Sequence, residues 1–242
     1  MTSRTEGIVL RSRTLGEADL IIEYLTKDFG TRSAFAKSPR KIKSRFGGSL
    51  EPFTYARIAL TGREDANLPK LTQSDIIRSF HPLRENIPVF LKACQFAELE
   101  LKLLPSDGRN NPDAFALQLW GLDGLEKDPA SALVPLVFKM RLMELAGYAP
   151  ALNGCARCGG QAQVFYPRDG ALLCGGCKKG KKEGPALGLS AALIAMHKSL
   201  SAFPLEKLSR IKPSGALLTE LERFVELHFT EGVNVHIRSA KF

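Results

Sequence analysis

The chain has 242 residues, 44% hydrophobic and 24% charged, enough apolar material for one large domain or two modest ones and too much for a disordered chain. Its 34 Lys and Arg outnumber 25 Asp and Glu, a formal net charge of +9, which favours an anionic partner such as a phosphate backbone or an acidic lipid. No segment approaches the ~20 consecutive apolar residues of a membrane-spanning helix, and residues 1–6 lack the charged-then-apolar layout of a secretory signal. The expected compartment is therefore the cytoplasm, with no membrane partner.

Residues 7–25 hold two runs with apolar positions at strand spacing, Gly7 to Arg11 and Asp19 to Leu25, separated by a turn containing Gly16. A third short strand is expected at Arg32 to Lys37, and two more at Phe53 to Leu60 and Leu68 to Ile77, around Gly62. Five short strands in about 80 residues fit a small antiparallel barrel, with an OB-fold as the leading candidate.

After His81-Pro82 the period changes. Ile87, Phe90, Leu91, Cys94, Ala97, Leu101 and Leu104 recur at intervals of three and four until Pro105, which reads as an amphipathic helix. Asn111-Pro112 opens a second helix running to residue 127, because Asn caps and Pro suits the first helical position. Further helices are expected at 130–147, 190–203 and 214–228. The fold class is thus α+β: a barrel at residues 1–80, then a mostly helical domain at 81–242 with an insertion at 153–180.

That insertion carries Cys155 and Cys158, fifteen intervening residues, then Cys174 and Cys177. Paired C-x-x-C turns at this separation are a zinc-site pattern, since two intervening residues let both thiolates address one ion. Between the pairs, Val164-Phe165-Tyr166 and Ala171-Leu172-Leu173 flank Pro167-Arg168-Asp169-Gly170, a hairpin sequence, so the segment reads as a zinc ribbon. Four thiolates leave no open position for water or substrate, which makes one structural Zn2+ the expected cofactor. Two disulfides fit poorly with a reducing compartment, and an iron–sulfur cluster is compatible with the spacing. The remaining cysteine, Cys94, lies on an apolar helical stripe and reads as a small core residue.

Charge is concentrated elsewhere. Between Arg32 and Arg57 seven basic residues face one acid, Glu51, and five of them, Lys37, Arg40, Lys41, Lys43 and Arg45, fall within nine positions. Such density suits phosphate binding by counterion displacement, with serine hydroxyls as added donors and Phe46 as a nearby surface on which bases stack. The lesser alternative, on charge alone, is a solvated loop with no ligand. A second run, Lys178 to Lys182, reads as a linker.

No phosphate-binding G-x-x-x-x-G-K-[ST] loop is present, and Gly188-Leu-Ser190-Ala-Ala192 lacks the second glycine of a nucleophile elbow. His81, His197, His228 and His236 are scattered, and the zinc-deaminase signature is missing around His81. The chain is therefore expected not to be an enzyme. A zinc-dependent nucleic-acid-processing enzyme and an OB-fold RNA-binding protein are the alternatives.

Several stretches, taken in order, resemble the family of bacterial RecO recombination mediators. Thr5-Glu6-Gly7-Ile8-Val9-Leu10 with Gly16-Glu17-Ala18-Asp19-Leu20-Ile21 is similar to the family's opening, and Lys43 through Phe53 to its basic-then-glycine segment. Leu145-Ala146-Gly147-Tyr148-Ala149-Pro150 leading into Cys155 and Cys158 resembles the approach to its zinc ribbon. Phe224 to His228 and Arg238 to Phe242 resemble its ending, while Gln95 to Glu126 is generic helix.

The resemblance implies an N-terminal OB-fold, a helical C-terminal domain, and a ribbon that some members lack. It also implies binding of single- and double-stranded DNA, annealing of complementary strands, and partnership with RecR. The family acts on strands coated by single-strand-binding protein, whose acidic C-terminal tail it contacts, and helps to load RecA. Location with the bacterial nucleoid follows. On this chain the DNA contacts implied are Lys37, Arg40, Lys41, Lys43 and Arg45, with Arg11 and Arg13 added.

Overall fold

The computed structural model describes residues 2–40, 44–62, 68–105, 109–178 and 184–234. The chain divides into two compact units, one within Met1–Ser131 and one within Ala132–His236.

The first unit begins with β1 (Thr2–Leu15), β2 (Asp19–Thr26) and β3 (Gly30–Ala36), followed by β4 (Tyr55–Thr61) and β5 (Lys70–Arg78). Their order is β1-β2-β3-β5-β4, and β4 returns to β1 to close the sheet into a barrel. The long β1 makes closure possible. Thr2 to Ile8 pair with β4 while Gly7 to Leu15 pair with β2, and the register slips between Val9 and Arg11 where the strand changes partner. Gly7 sits in the overlap, where an added Cβ would lie 3.2 Å from both Ile58 and Tyr24. One pairing is parallel: Phe35 and Ala36 of β3 sit beside Lys70 and Leu71 of β5. Alternation places Ile22, Tyr24, Ala34, Ala36, Ile58 and Leu71 inside the barrel.

Three helices complete this unit: α1 (His81–Glu85), α2 (Ile87–Leu103) and α3 (Pro112–Lys127). Asn86 and Asn111 cap the last two, each accepting from a first-turn N–H, Val89 at 3.3 Å and Ala114 at 3.0 Å. Aromatic pairs fasten them to the barrel end, Phe53 against Phe90 at 5.5 Å and Tyr55 against Phe115 at 5.8 Å between ring centroids. Arg78 forks onto Asp123 and Glu126 and lies 4.3 Å above the Phe80 ring. The change from strand to helix thus falls at residue 80, whereas the compact units part at 131/132, because α1–α3 bury their apolar faces with the strands.

The second unit holds α4 (Leu133–Leu145), β6 (Val164–Tyr166), β7 (Ala171–Leu173), the single turn α5 (Gly175–Lys178), β8 (Leu187–Gly188), α6 (Ala191–Ala202) and α7 (Gly215–Leu227). Ser190 and Ser214 cap α6 and α7. The expected hairpin is β6–β7, paired Val164 to Leu173 and Tyr166 to Ala171. The element is wider than the expected 153–180 span: β8 adds a third strand and Ala151 bridges to Ala171. Phe165 of the hairpin enters the helical core, 4.9 Å from Phe224 and 5.3 Å from His228. α7 then widens into a π-helical turn over His228–Val233. There Gly232 has no room for a side chain, since an added Cβ would lie 2.6 Å from the Pro167 carbonyl oxygen.

Candidate metal centre and nucleic-acid interface

The four clustered cysteines converge. Cys155 and Cys158 lie on the turn before β6, Cys174 directly follows β7, and Cys177 is carried by α5. Backbone bonds hold the two turns together: Ala156 N–H donates to Leu172 O at 2.9 Å and Leu172 N–H to Ala151 O at 3.1 Å. The first turn closes on itself, with Cys155 N–H donating to Gly160 O and Gly159 N–H to Cys155 O, both at 2.8 Å. Gly154 and Gly159 take φ values of +107° and +72°, which side chains disfavour.

All four sulfurs lie within 4.8 Å of one another, and Cys158 Sγ is 3.7 Å from Cys174 Sγ. A tetrahedron of thiolates at about 2.3 Å from one ion has edges of about 3.8 Å. The donor set therefore fits a single metal ion. Backbone N–H groups of Cys174, Arg157 and Cys158 pull the Cys155 thiol down to about 6. The thiols of Cys158, Cys174 and Cys155 push Cys177 up to about 12. Four adjacent sulfurs cannot all ionise against one another without a cation among them.

The basic residues sit on the barrel unit. Lys37 is exposed just beyond β3, and the chain after it is pinned to the β1–β2 turn: Ser38 N–H donates to Asp19 Oδ1 at 2.7 Å, and Arg40 Nη1 to Glu17 O at 3.1 Å. Arg45 is exposed, its guanidinium 4.9 Å from the Phe46 ring centroid. Lys41 and Lys43 lie outside the described residues. Arg11 and Arg13 of β1 both donate to Glu23 of β2, Arg13 Nη2 at 2.7 Å, and both stay about half-exposed.

Phe46 requires a correction. Expected as a stacking surface, it is 3% exposed and belongs to the barrel core. An aromatic on the outer wall is Phe35, because β3 turns Ala34 and Ala36 inward. Register places it in one row across four strands, Arg13–Ile21–Phe35–Lys70. No local pattern in the sequence pairs Lys70 with Phe35, because their strands meet only through the non-local β3–β5 contact. The one signal in the sequence is the two-residue period of Ser33, Phe35 and Lys37.

The other titratable groups are structural. His197 and His228 are buried. Burial, with His228 and Arg141 nearby, lowers His197 to about 4, and burial lowers His228, whose Nε2 lies 2.8 Å from Tyr148 O. Both imidazoles are therefore neutral near pH 7. Cys94 is half-buried at the margin of the α2 core stripe, its thiol raised to about 11 by burial and then by Glu98. Lys178 Nζ lies 5.4 Å above Tyr166, and Lys179 to Lys182 lie outside the described residues. Among the described residues no helix is long and apolar enough to cross a membrane.

Comparison with known proteins covers both units. The family model described as recombination protein O N terminal matches residues 1–80, and that described as recombination protein O C terminal matches residues 84–241. Over 228 residues the chain is 40% identical to the DNA repair protein RecO of Thermodesulfovibrio yellowstonii, spanning 93% of this chain and 90% of that protein. It is 35% identical over 232 residues to the DNA repair protein RecO of Rubrobacter xylanophilus, at 93% and 90% coverage. A third relative, the DNA repair protein RecO of Dehalococcoides mccartyi, is 30% identical over 223 residues, at 90% and 86% coverage.

Proposed function

Because this chain belongs to the recombination protein O family, we propose that it is a DNA-binding recombination mediator acting in DNA repair. On this reading it binds single- and double-stranded DNA and anneals complementary strands. With RecR it helps RecA to load onto DNA coated by single-strand-binding protein, whose acidic tail docks on the helical domain. The barrel within residues 1–80 is an OB-fold, in keeping with its strand order. Lys37, Arg40, Lys41, Lys43 and Arg45, joined by Arg11 and Arg13, contact phosphates. The protein works in the cytoplasm at the nucleoid.

The observation that carries the reading is that Lys37, Arg40 and Arg45, close together in the segment after β3 of a closed barrel, are all exposed. Annealing draws its free energy from the duplex formed, so the protein's part is to neutralise strand repulsion and hold two strands close. Cations that release condensed counterions accomplish the first. Such work calls for no catalytic group, and the buried neutral histidines offer none.

In the ribbon, Cys155, Cys158, Cys174 and Cys177 would hold one zinc ion. The ion would supply cross-linking alone, tying two short turns that have little core of their own. The chain's own contribution is Phe165, which anchors the hairpin among Phe224 and His228.

The test is annealing of complementary strands precoated with single-strand-binding protein. Acceleration by the purified chain is expected, and no acceleration on coated or bare strands would sink the reading.

A further inference from the structure

The row Arg13–Ile21–Phe35–Lys70 on the outer wall of the barrel combines three features. It has an outward aromatic ring, an aliphatic neighbour beside it, and a cation at each end. Ile21 and Phe35 are both half-buried and stand opposite one another in the β2–β3 register. Neighbouring strands lie about 4.8 Å apart, so Lys70 stands one strand from Phe35 and Arg13 two strands away on the other side. Lys37 follows Phe35 by two residues and is exposed just beyond the end of β3. Among the described residues neither Lys37 nor Lys70 has an acidic partner.

We infer that Phe35 is a stacking platform for a base of single-stranded DNA, with Lys70, Lys37 and Arg13 holding the flanking phosphates. This deepens the DNA-binding reading above and rests on it. A ring presented between cations matches an unpaired nucleotide, which offers a π-face and a phosphate together. A duplex does not, because its bases are stacked on one another. An acidic peptide would satisfy the cations and leave the ring unused. Ile21 stands beside Phe35 on the neighbouring strand. Glu23, bound by both Arg11 and Arg13, cancels part of the charge one step along β2, so the unopposed cations are those nearest Phe35.

The contact is separable from phosphate binding. Stacking releases no counterions, so its loss lowers affinity without changing the salt slope, whereas loss of a phosphate contact changes that slope by about 0.7 on single strands. The experiment uses the full chain, a labelled thymidine oligonucleotide, and the corresponding duplex. Phe35→Leu, which keeps an apolar side chain, is expected to weaken single-strand binding about tenfold. Duplex affinity and the slope of log K against log salt stay as in the wild type. Lys70→Ala is expected to lower that slope. Phe35→Trp is expected to retain affinity and lose indole emission when the oligonucleotide binds, after subtraction of the wild-type Trp120 signal.

Unchanged single-strand affinity in Phe35→Leu, or equal losses on both ligands, overturns the assignment, as does Phe35→Trp emission that ignores the oligonucleotide. If Phe35→Leu fails to fold, the Phe35→Trp emission decides alone. Wild-type protein that binds neither ligand overturns the DNA-binding reading itself. Wild-type binding with insensitive Phe35 variants overturns only the platform.

Discussion

Arg13 Nη2 donates to Glu23 Oε1 at 2.7 Å, from β1 to β2 across the outer wall of the barrel. The same carboxylate receives Arg11, so one buried acid restrains two half-exposed cations. Because both guanidinium groups stay half-exposed, solvent screening holds each pair to about 1 kcal/mol of stability, so the main consequence of the pairing is for ligand binding. Glu23→Gln removes one negative charge beside two phosphate-seeking groups. Its log K for single-stranded DNA is expected to fall more steeply with log salt, by about 0.7. An unchanged slope in fluorescence titrations would place the two arginines outside the binding surface.

The exposed cations can be tested as a group. Lys37→Ala, Arg40→Ala and Arg45→Ala together remove three phosphate contacts, so the salt slope on single strands is expected to drop by about 2. Affinity is expected to fall alike across sequences, since phosphates carry no sequence information. A triple variant that keeps the wild-type slope would move the interface away from this end of the barrel.

For the metal centre, one zinc per chain is expected by elemental analysis of aerobically purified protein. Iron with visible absorbance would replace the zinc assignment by a cluster. Cys155→Ser is expected to abolish stoichiometric metal and to lower the melting temperature of the unit within residues 132–236, while the barrel's amide protection stays unchanged. Acidification is expected to release the ion, because thiolate ligands must be deprotonated to bind.

His197 gives acid sensitivity to the same unit. Its pKa falls from 6.5 in the unfolded chain to about 4 in the fold, mainly through burial. The folded state binds fewer protons between these values, so this contribution is complete above pH 6.5 and is lost as pH falls towards 4. The loss is about 3 kcal/mol. In urea unfolding at pH 7 and pH 5, His197→Leu is expected to show the smaller decline. Parallel declines in both proteins would refute this role for the imidazole.

Glu100 of α2 works in the opposite direction. It is fully buried, neither carboxylate oxygen has a hydrogen-bond partner among the described residues, and burial raises its pKa well above 4.5. The folded state therefore holds a proton that the unfolded chain releases above pH 4.5, and stability is lost as pH rises. Glu100→Gln, neutral throughout, is expected to lose less stability between pH 6 and pH 9 by urea unfolding. The same pH dependence in wild type and variant would show that Glu100 is not protonated in the fold.

Local chemistry in the sequence determined the ribbon and the helix starts. The spacing of Cys155, Cys158, Cys174 and Cys177, with turn residues between two apolar triplets, specifies a hairpin flanked by thiolates before any distant contact forms. Asn111-Pro112 caps α3 for the same reason, since the cap and the N–H it satisfies are three residues apart. The basic character of Lys37 to Arg45 and the alternation of five strands were legible too, being properties of short windows. Only tertiary structure decided which side chains share a surface. Phe46 and Phe35 are equally apolar in sequence, yet barrel closure buries the first and the period of β3 turns the second outward, half-buried. Lys70 reaches Phe35, and Glu23 reaches Arg11 and Arg13, through strand pairings whose register depends on the whole barrel closing at once. Pairing between distant strands is a cooperative outcome of burial and hydrogen bonding over the whole sheet, and no local window contains it.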